Sequence, residues 1–241
     1  FVTKNYSKTM YAKEGFVIVA LAWLSMSLIG ALPLYISREV PSFVDSFFEI
    51  ASGFTTTGAS VINNIDEISN GILFWRSFTH WVGGMGVLVF AVAILPANNS
   101  VMHLMRAECA GPQVGKIVPK GKDTARYLYI IYGALTVVVT VALIICGMPV
   151  FDSICHAMGA AGTGGFGIKN NSIAFYDSAA IDIVLALGVM LFGINFSIYY
   201  LIITGHIKNA FKNTELKVYL MIILAATGLI MLNTTEFYKN V

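Results

Sequence analysis

The chain holds 241 residues, 57% of them hydrophobic and only 12% charged, with a mean hydropathy of +0.76. A soluble domain carries about 25% charge, so this balance excludes an ordinary water-soluble globule and indicates an all-α polytopic membrane protein. The formal net charge of +2 is too small to suggest nucleic-acid binding, and the basic residues gather in a few loops, where they report topology.

The three cysteines, Cys109, Cys146 and Cys155, form no CxxC pair and have no histidines at metal spacing. They are read as reduced, structural thiols. The chain opens at Phe1 without Met or a signal-peptide pattern and closes at Val241 just after an apolar run. It is therefore expected to be a fragment of a longer protein.

In chain order, Phe1 to Lys13 is polar, and Gly15 to Leu34 is a first apolar run. At about 1.5 Å per residue it can cross a hydrocarbon core of about 30 Å. Pro33 near its end marks a place where a helix can stop. Ser42 to Phe54 is too short and too charged, with Asp45 and Glu49, for a full span. It reads as a short helix capped by Ser42 that enters from one face and hands over to a loop. That loop, Ala51 to Ser60, is too polar and glycine-rich to belong to either neighbouring span. Gly71 to Pro96 is the second span, with Trp75 and Trp81 suited to an interfacial belt and Gly83, Gly84 and Gly86 suited to close packing or a bend.

Asn98 to Arg126 is a basic connection, Tyr127 to Met148 a third span, and Val150 to Ala161 a second short helix leading into Thr163-Gly164-Gly165-Phe166-Gly167. Ile181 to Thr204 is a fourth span containing Gly193-Ile194-Asn195-Phe196, His206 to Lys217 another basic link, and Leu216 to Leu232 begins a fifth span. The order span, short helix, polar loop, span thus occurs twice. A constant shift of 107 positions carries Asp45-Ser46 onto Asp152-Ser153, Thr56 onto Thr163 and Gly58 onto Gly165, and such repeats set an architecture. The expected divisions are a first pore-loop repeat over 1–97, a cytoplasmic linker over 98–126, a second repeat over 127–205, and over 206–241 a linker with the first span of a truncated third repeat.

Eleven of the fifteen Lys and Arg, among them Lys4, Lys8, Arg106, Lys116, Lys120, Lys122, Lys208 and Lys217, lie in ends and loops that share one face. That face is placed in the cytoplasm. The opposite face holds Glu39, Asp45, Glu49, Asp66, Glu67, Asp152, Asp177 and Asp182. They are read as an acidic outer vestibule that concentrates cations, although solvated loop charge explains them too.

Irregular backbone at membrane depth survives only where it is buried in protein or lines a wet cavity. Glycine permits the backbone angles that aim successive carbonyls at an ion, and such carbonyls can replace its water shell. No charged side chain lies between Phe54 and Val61 or between Ala161 and Ile168, so the expected ligands are backbone oxygens. A glycine-rich helix contact is the plainer reading of either loop alone.

Together, Gly53-Phe54-Thr55-Thr56-Thr57-Gly58-Ala59, Trp81-Val82-Gly83-Gly84-Met85-Gly86, Ala93-Ile94-Leu95-Pro96, Arg106-Ala107-Glu108 with Gly111-Pro112, Thr163-Gly164-Gly165-Phe166 and Gly193-Ile194-Asn195-Phe196 resemble the Trk/Ktr/HKT superfamily of potassium transporters, most closely its TrkH/TrkG branch. The resemblance covers nearly the whole chain. It implies four pore-loop repeats around a pseudo-fourfold pore, K⁺ uptake across the plasma membrane, and a filter simpler than that of tetrameric K⁺ channels. The filter implied here is Thr56, Thr57 and Gly58 with Thr163, Gly164 and Gly165, flanked by Thr55, Ala59 and Phe166. A cytosolic nucleotide-binding regulator of the TrkA type, homodimerisation and H⁺ or Na⁺ co-transport are further implications. Two of the family's repeats are absent, and with them its gating loop and the arginine of its fourth inner helix. Gly167 stands where many members carry a small polar residue.

The remaining candidates have ordinary explanations beside functional ones. His80 and His156 could sense pH, but hydrogen-bonded packing is the commoner role. Asn195 could support the pore or a gate, or make a helix–helix hydrogen bond. Arg76 could snorkel or pair with a vestibule carboxylate. Arg106, Glu108, Lys116, Lys120 and Lys122 could dock a regulator, or simply follow the positive-inside bias. Two functions compete with K⁺ uptake by a Trk-type protein. A dimeric two-pore-loop K⁺ channel fits the repeat count but not Thr56-Thr57-Gly58-Ala59-Ser60. An intramembrane serine protease would need a base within reach of Ser60, and no Gly-x-Ser-x-Gly element is present. The chain is therefore not read as an enzyme.

Overall fold

The computed structural model describes residues 12–86, 121–203 and 205–238. The stretches Ala93 to Pro96, Arg106 to Glu108, Gly111-Pro112, Lys116 and Lys120, together with Lys4, Lys8 and Cys109, lie outside the described residues. Among the described residues the regular elements are all helical. The chain divides into two units, Phe1–Gly193 and Ile194–Val241.

The first unit begins with α1 (Ala12–Gly30) and the short α2 (Leu32–Ile36). Pro33 does not end the first span. It lies in the first turn of α2, where its missing N–H leaves no hydrogen bond unmade, and the helical path runs on to Ser37. Together Phe16–Ile36 is long and apolar enough to cross a membrane. Next is α3 (Phe43–Phe54), capped as expected: the Ser42 hydroxyl accepts from the Asp45 N–H at 3.3 Å. After a single 3₁₀ turn at Ile65–Glu67 comes α4 (Asn70–Met85), which stops at Gly86 with φ +82°.

The second half of the unit repeats this plan with α5 (Gly121–Ile145), α6 (Val150–Ala161), a 3₁₀ turn at Ser172–Tyr176, and α7 (Ala179–Phe192). The repeated Asp-Ser pair has a local reason. Ser46 and Ser153 are fully buried, and their hydroxyls donate back to carbonyls ahead of their helices, Val40 at 3.0 Å and Met148 at 3.2 Å. Asp45 and Asp152 lie in the first turns, where the helix dipole favours a negative charge.

Helix α3 packs against α1 and α4, and α6 packs against α4, α5 and α7. The two halves therefore meet where α4 of the first lies on α6 of the second. Small residues make that contact close. A Cβ on Gly83 would strike the Phe54 carbonyl oxygen, and one on Gly84 would meet the Tyr132 hydroxyl and lie 2.8 Å from the Gly162 Cα. The tryptophans of α4 are used in packing rather than only as an interfacial belt: the Trp75 indole donates to the Gly30 carbonyl at 2.9 Å and that of Trp81 to the Thr136 hydroxyl at 3.0 Å.

The second unit contains α8 (Phe196–Ile203), α9 (Ile207–Lys212) and α10 (Thr214–Tyr238). Its small core is Ile198, Ala210 and Leu216, with Ile194 and Leu201 against it. The expected fourth span is not one continuous helix, because regular structure is interrupted over Gly193–Asn195 between α7 and α8. Among the described residues Tyr127–Ile145 and Thr214–Thr234 are, with Phe16–Ile36, the helices long and apolar enough to cross a membrane. Their broad exposed apolar faces, such as Val137 and Val138 on α5 and Leu224 and Leu229 on α10, suit a hydrocarbon surrounding.

The packing at α4 sets a testable contrast. Gly84→Ala forces a methyl against backbone of α6 and costs about 1–3 kcal/mol. Gly133→Ala on α5, where a Cβ meets nothing within 4 Å, is neutral or stabilising by up to ~1 kcal/mol. Thermal unfolding of the full-length protein in detergent, with the two variants side by side, checks the order.

Candidate functional site: two matched loops braced from behind

Helices α3 and α6 have the same length, 12 residues, and end in the same way. In the first, the N–H of Thr56 donates to Gly53 at 3.0 Å and that of Thr57 to Ser52 at 2.9 Å. In the second, the N–H of Thr163 donates to Ala160 at 2.9 Å and that of Gly164 to Gly159 at 3.2 Å. Each pair of bonds closes a helix by the Schellman pattern, in which the residue after the cap turns left-handed. That residue is ordinarily glycine. Here it is threonine in both copies, with φ +53° at Thr56 and at Thr163. A β-branched residue in this region costs about 1–2 kcal/mol, and such strain persists only where its surroundings enforce it.

Two residues on, Gly58 at φ +74° and Gly165 at φ +79° reverse the chain again. The 107-residue repeat is thus a repeat of backbone conformation. Each short helix points its C-terminal end at its loop, where the dipole is negative and favours a cation. The hydroxyls of the first loop bond to one another and to the backbone: Thr55 donates to the Ala51 carbonyl at 2.7 Å, and Thr55 and Thr57 lie 2.8 Å apart. The Thr163 hydroxyl donates to the Gly162 carbonyl at 2.7 Å.

The two loops touch. A Cβ on Gly58 would collide with the carbonyl oxygen of Gly164 and lie 2.9 Å from its carbon. Gly58 therefore has two independent reasons to be glycine, its φ and this approach. Among the described residues, a Cβ on Gly165 would meet nothing within 4 Å. Gly164 rests in turn on the ring of His80. All six residues expected to form the filter fall in these two loops, and Gly58 and Gly164 are brought together directly.

Behind the loops lies a buried ion pair. Glu49 on α3 is 0% exposed and Arg76 on α4 is 1% exposed, with Nη2 2.6 Å from Oε1. Arg76 Nε donates to the same oxygen at 2.8 Å. Glu49 also accepts from the Ser60 hydroxyl at 2.9 Å and the Val61 N–H at 3.0 Å. Arg76 Nη1 donates to the Gly167 carbonyl at 3.3 Å, and its guanidinium lies 4.2 Å from the Phe166 ring centroid. Removing one member of such a buried pair costs about 3–5 kcal/mol, since it strands the other charge. Arg76 therefore pairs with a carboxylate rather than snorkelling, and Glu49 is withdrawn from the outer vestibule.

The sequence leaves Arg76 between snorkelling and pairing with a vestibule carboxylate, and it does not single out Glu49 as the partner. The signal lay in helical spacing: Ser46, Glu49, Ile50 and Gly53 make one buried stripe on α3, and Leu73, Arg76 and His80 make another on α4. A carboxylate on one buried stripe and a guanidinium on the next require each other.

The other acids are variously engaged. Glu39 accepts from the N–H and hydroxyl of Ser69 at 2.7 and 2.6 Å, which holds the start of α4. Asp152 accepts from the Tyr176 hydroxyl at 2.7 Å, and His156 lies 3.3 Å from the same hydroxyl. His80 differs from the expected hydrogen-bonded histidine. Its ring is stacked on Phe166 with centroids 4.0 Å apart, and neither nitrogen has a hydrogen-bond partner among the described residues. Ser60 donates to Glu49, so no Ser60–His80 hydrogen bond exists. Asn195 in the second unit donates to both oxygens of Glu215 at 3.1 Å. Cys146 and Cys155 are free. An open cavity of about 440 Å³ is lined by Glu39, Asp45, Glu67, Asn63 and Asn64.

Comparison with known proteins gives concordant results. A family model described as TrkH, cation transport protein, matches residues 1–240. The Trk system potassium uptake protein TrkG of Escherichia coli (strain K12) is 34% identical over 242 residues, covering 99% of this chain and 49% of that protein. The Trk system potassium uptake protein TrkH of Salmonella typhimurium is 38% identical over 214 residues, 87% of this chain and 44% of that protein. The crystal structure of the potassium transporter TrkH from Vibrio parahaemolyticus superposes with a TM-score of 0.80 at 32% identity, over 97% of this chain and 48% of that one. The chain spans about half the length of the curated relatives it matches.

The left-handed threonines give a direct test of stored strain. Thr163 is exposed, so Thr163→Gly relieves its backbone with little loss of packing. It should raise the stability of the full-length protein by up to ~1 kcal/mol, once the greater freedom of glycine in the unfolded chain is subtracted. A thermal midpoint that falls instead would show that no strain is held there.

Proposed function

The chain belongs to the TrkH family of cation transport proteins, and from that membership and the two matched loops we propose that it forms half of a K⁺ uptake pore. The observation that carries the reading is the repeated backbone: helix end, left-handed threonine, one residue, then glycine at positive φ, twice at a spacing of 107. Carbonyls of Thr56 and Thr57, with those of Thr163 and Gly164, contribute to the ion path, and Gly58 and Gly165 give the loops their shape. An ion that sheds its water there is met by oxygen dipoles rather than by a charge. The helix dipoles of α3 and α6 add to the attraction.

Residues 1–97 and 127–205 are one pore-loop repeat each in this reading. Residues 98–126 link them in the cytoplasm, and 206–241 hold a linker and the first span of a third repeat. Gly58 packs on the neighbouring loop at Gly164. By the repeat, Gly165 is the surface on which a third loop would pack, and completion of the pseudo-fourfold ring draws on parts of the protein beyond this chain. The acidic outer residues draw cations to the mouth, and the basic loops face the cytoplasm of a bacterial-type inner membrane. A regulator of the TrkA type, a homodimeric assembly and coupling to H⁺ or Na⁺ belong to the same reading, as does Asn195 as a support of the pore or gate.

The test is K⁺ and Na⁺ uptake by the full-length protein in a strain lacking other K⁺ systems. Gly58→Ser should lower K⁺ uptake more than tenfold at unchanged membrane level, because strain of about 1–2 kcal/mol adds to the collision with Gly164. Gly165→Ser carries the same strain and, in the full-length protein, meets the third loop that this reading packs there, so it should also lose about tenfold or more. Parental uptake and selectivity in both variants would sink the filter.

A further inference from the structure

Arg76 is placed where the first repeat touches the second. It stands on α4, the inner helix of the first half, and its guanidinium reaches in two directions. Toward its own repeat it holds Glu49, whose carboxylate fixes Ser60 and Val61 just past the first loop. Toward the next repeat it donates to the carbonyl of Gly167 and lies over the ring of Phe166, just past the second loop. One turn along α4, His80 stacks on the same ring and supports Gly164. The exits of both loops are thus tied to one buried guanidinium.

We propose that the Glu49–Arg76 pair is a positioning device that holds the two filter loops at a fixed separation and so sets the preference of the pore for K⁺ over Na⁺. The proposal rests on reading the two loops as a filter. Three observations carry it beyond packing. A buried ion pair is weak evidence for stability, since apolar side chains of like volume do as well or better, so its presence here calls for a geometric reason. The planar fork of arginine bonds Glu49, Gly167 and Ser60 from three separate nitrogens, a spread that the single nitrogen of an ammonium does not offer. Finally, the pair is not a property of the repeat itself. The 107-residue shift carries Glu49 onto His156 and Arg76 onto Ile183, which cannot make this pair. The second repeat uses Asp152 and Tyr176 around His156 instead. The charged brace therefore belongs to the boundary between the first and second loops, and it does not touch the ion.

The experiment measures K⁺ and Na⁺ uptake, with membrane level, for the full-length protein and three variants in a strain lacking other K⁺ systems. Arg76→Lys, which keeps the charge, should keep K⁺ uptake and lower the K⁺/Na⁺ ratio about tenfold, the scale of one lost charge-assisted hydrogen bond. Glu49→Gln, which strands the guanidinium, should lower the membrane level and show the same lowered ratio in the protein that remains. The paired apolar replacement, Glu49→Leu with Arg76→Met, should reach the membrane at the parental level and still show the lowered ratio. A parental ratio in Arg76→Lys or in the paired variant overturns the proposal while leaving the pore intact. A paired variant that never reaches the membrane also overturns it, by marking the pair as a folding element. A parent that imports neither ion defeats the pore reading, and this proposal with it.

Discussion

Backbone amides and carbonyls that leave a helix at membrane depth must find partners within the protein, and the two loops depend on how that requirement is met. Each short helix closes with two backbone hydrogen bonds across its last turn. That closure forces one residue into the left-handed region and uses up N–H groups that would otherwise be stranded. The carbonyls beyond the turn are then released from helical pairing. A loop with free acceptors and few free donors suits a cation. The chemistry of the site follows from how the helices end, before any side chain is considered.

Side chains enter as support. Glu49 and Arg76 neutralise each other in the interior, and their remaining hydrogen-bonding capacity goes to the segments that follow the loops. Farther out, the Asn170 side chain donates to Asn64 at 2.7 Å and accepts from the Ile65 N–H at 2.7 Å. The segments after the two loops are therefore joined at two depths, once by a charged fork and once by a neutral amide. Close glycine contacts join them a third time at Gly58 and Gly164. Irregular backbone is thus held at three levels by neighbouring side chains and backbone, the kind of support that fixes a site's geometry.

Much of this was legible from residues, and for stated reasons. The span–short helix–loop–span order follows from apolar length and from where Asp, Ser, Thr and Gly interrupt it. Ser42 was readable as a cap because a cap is a local signal. The 107-residue spacing located both loops because left-handed turns constrain residue type. What escaped depended on tertiary partners. Glu49 reads as an outer charge until α4 brings Arg76 to it. Pro33 reads as a stop, although it lies in the first turn of a helix, where proline's fixed φ is favoured. The interruption at Gly193–Asn195 is hidden inside a run apolar enough for a span. His80 reads as a hydrogen-bonded core histidine, yet it is used for its ring face against Phe166.

The two halves share a backbone plan but not their reinforcement, and that asymmetry bears on how one chain can build a ring. In a symmetric assembly of identical subunits every boundary has the same contacts, so a substitution acts at each of them. Here the first boundary has a charged fork, while the equivalent positions of the second repeat are His156 and Ile183. Covalently joined repeats can therefore vary each boundary separately while keeping the loop geometry, whose left-handed threonine and following glycine are the same in both. The residues held in common are those at which the loop backbone turns to positive φ. The residues free to differ are those that support it from behind, because many side-chain sets can satisfy the same carbonyl.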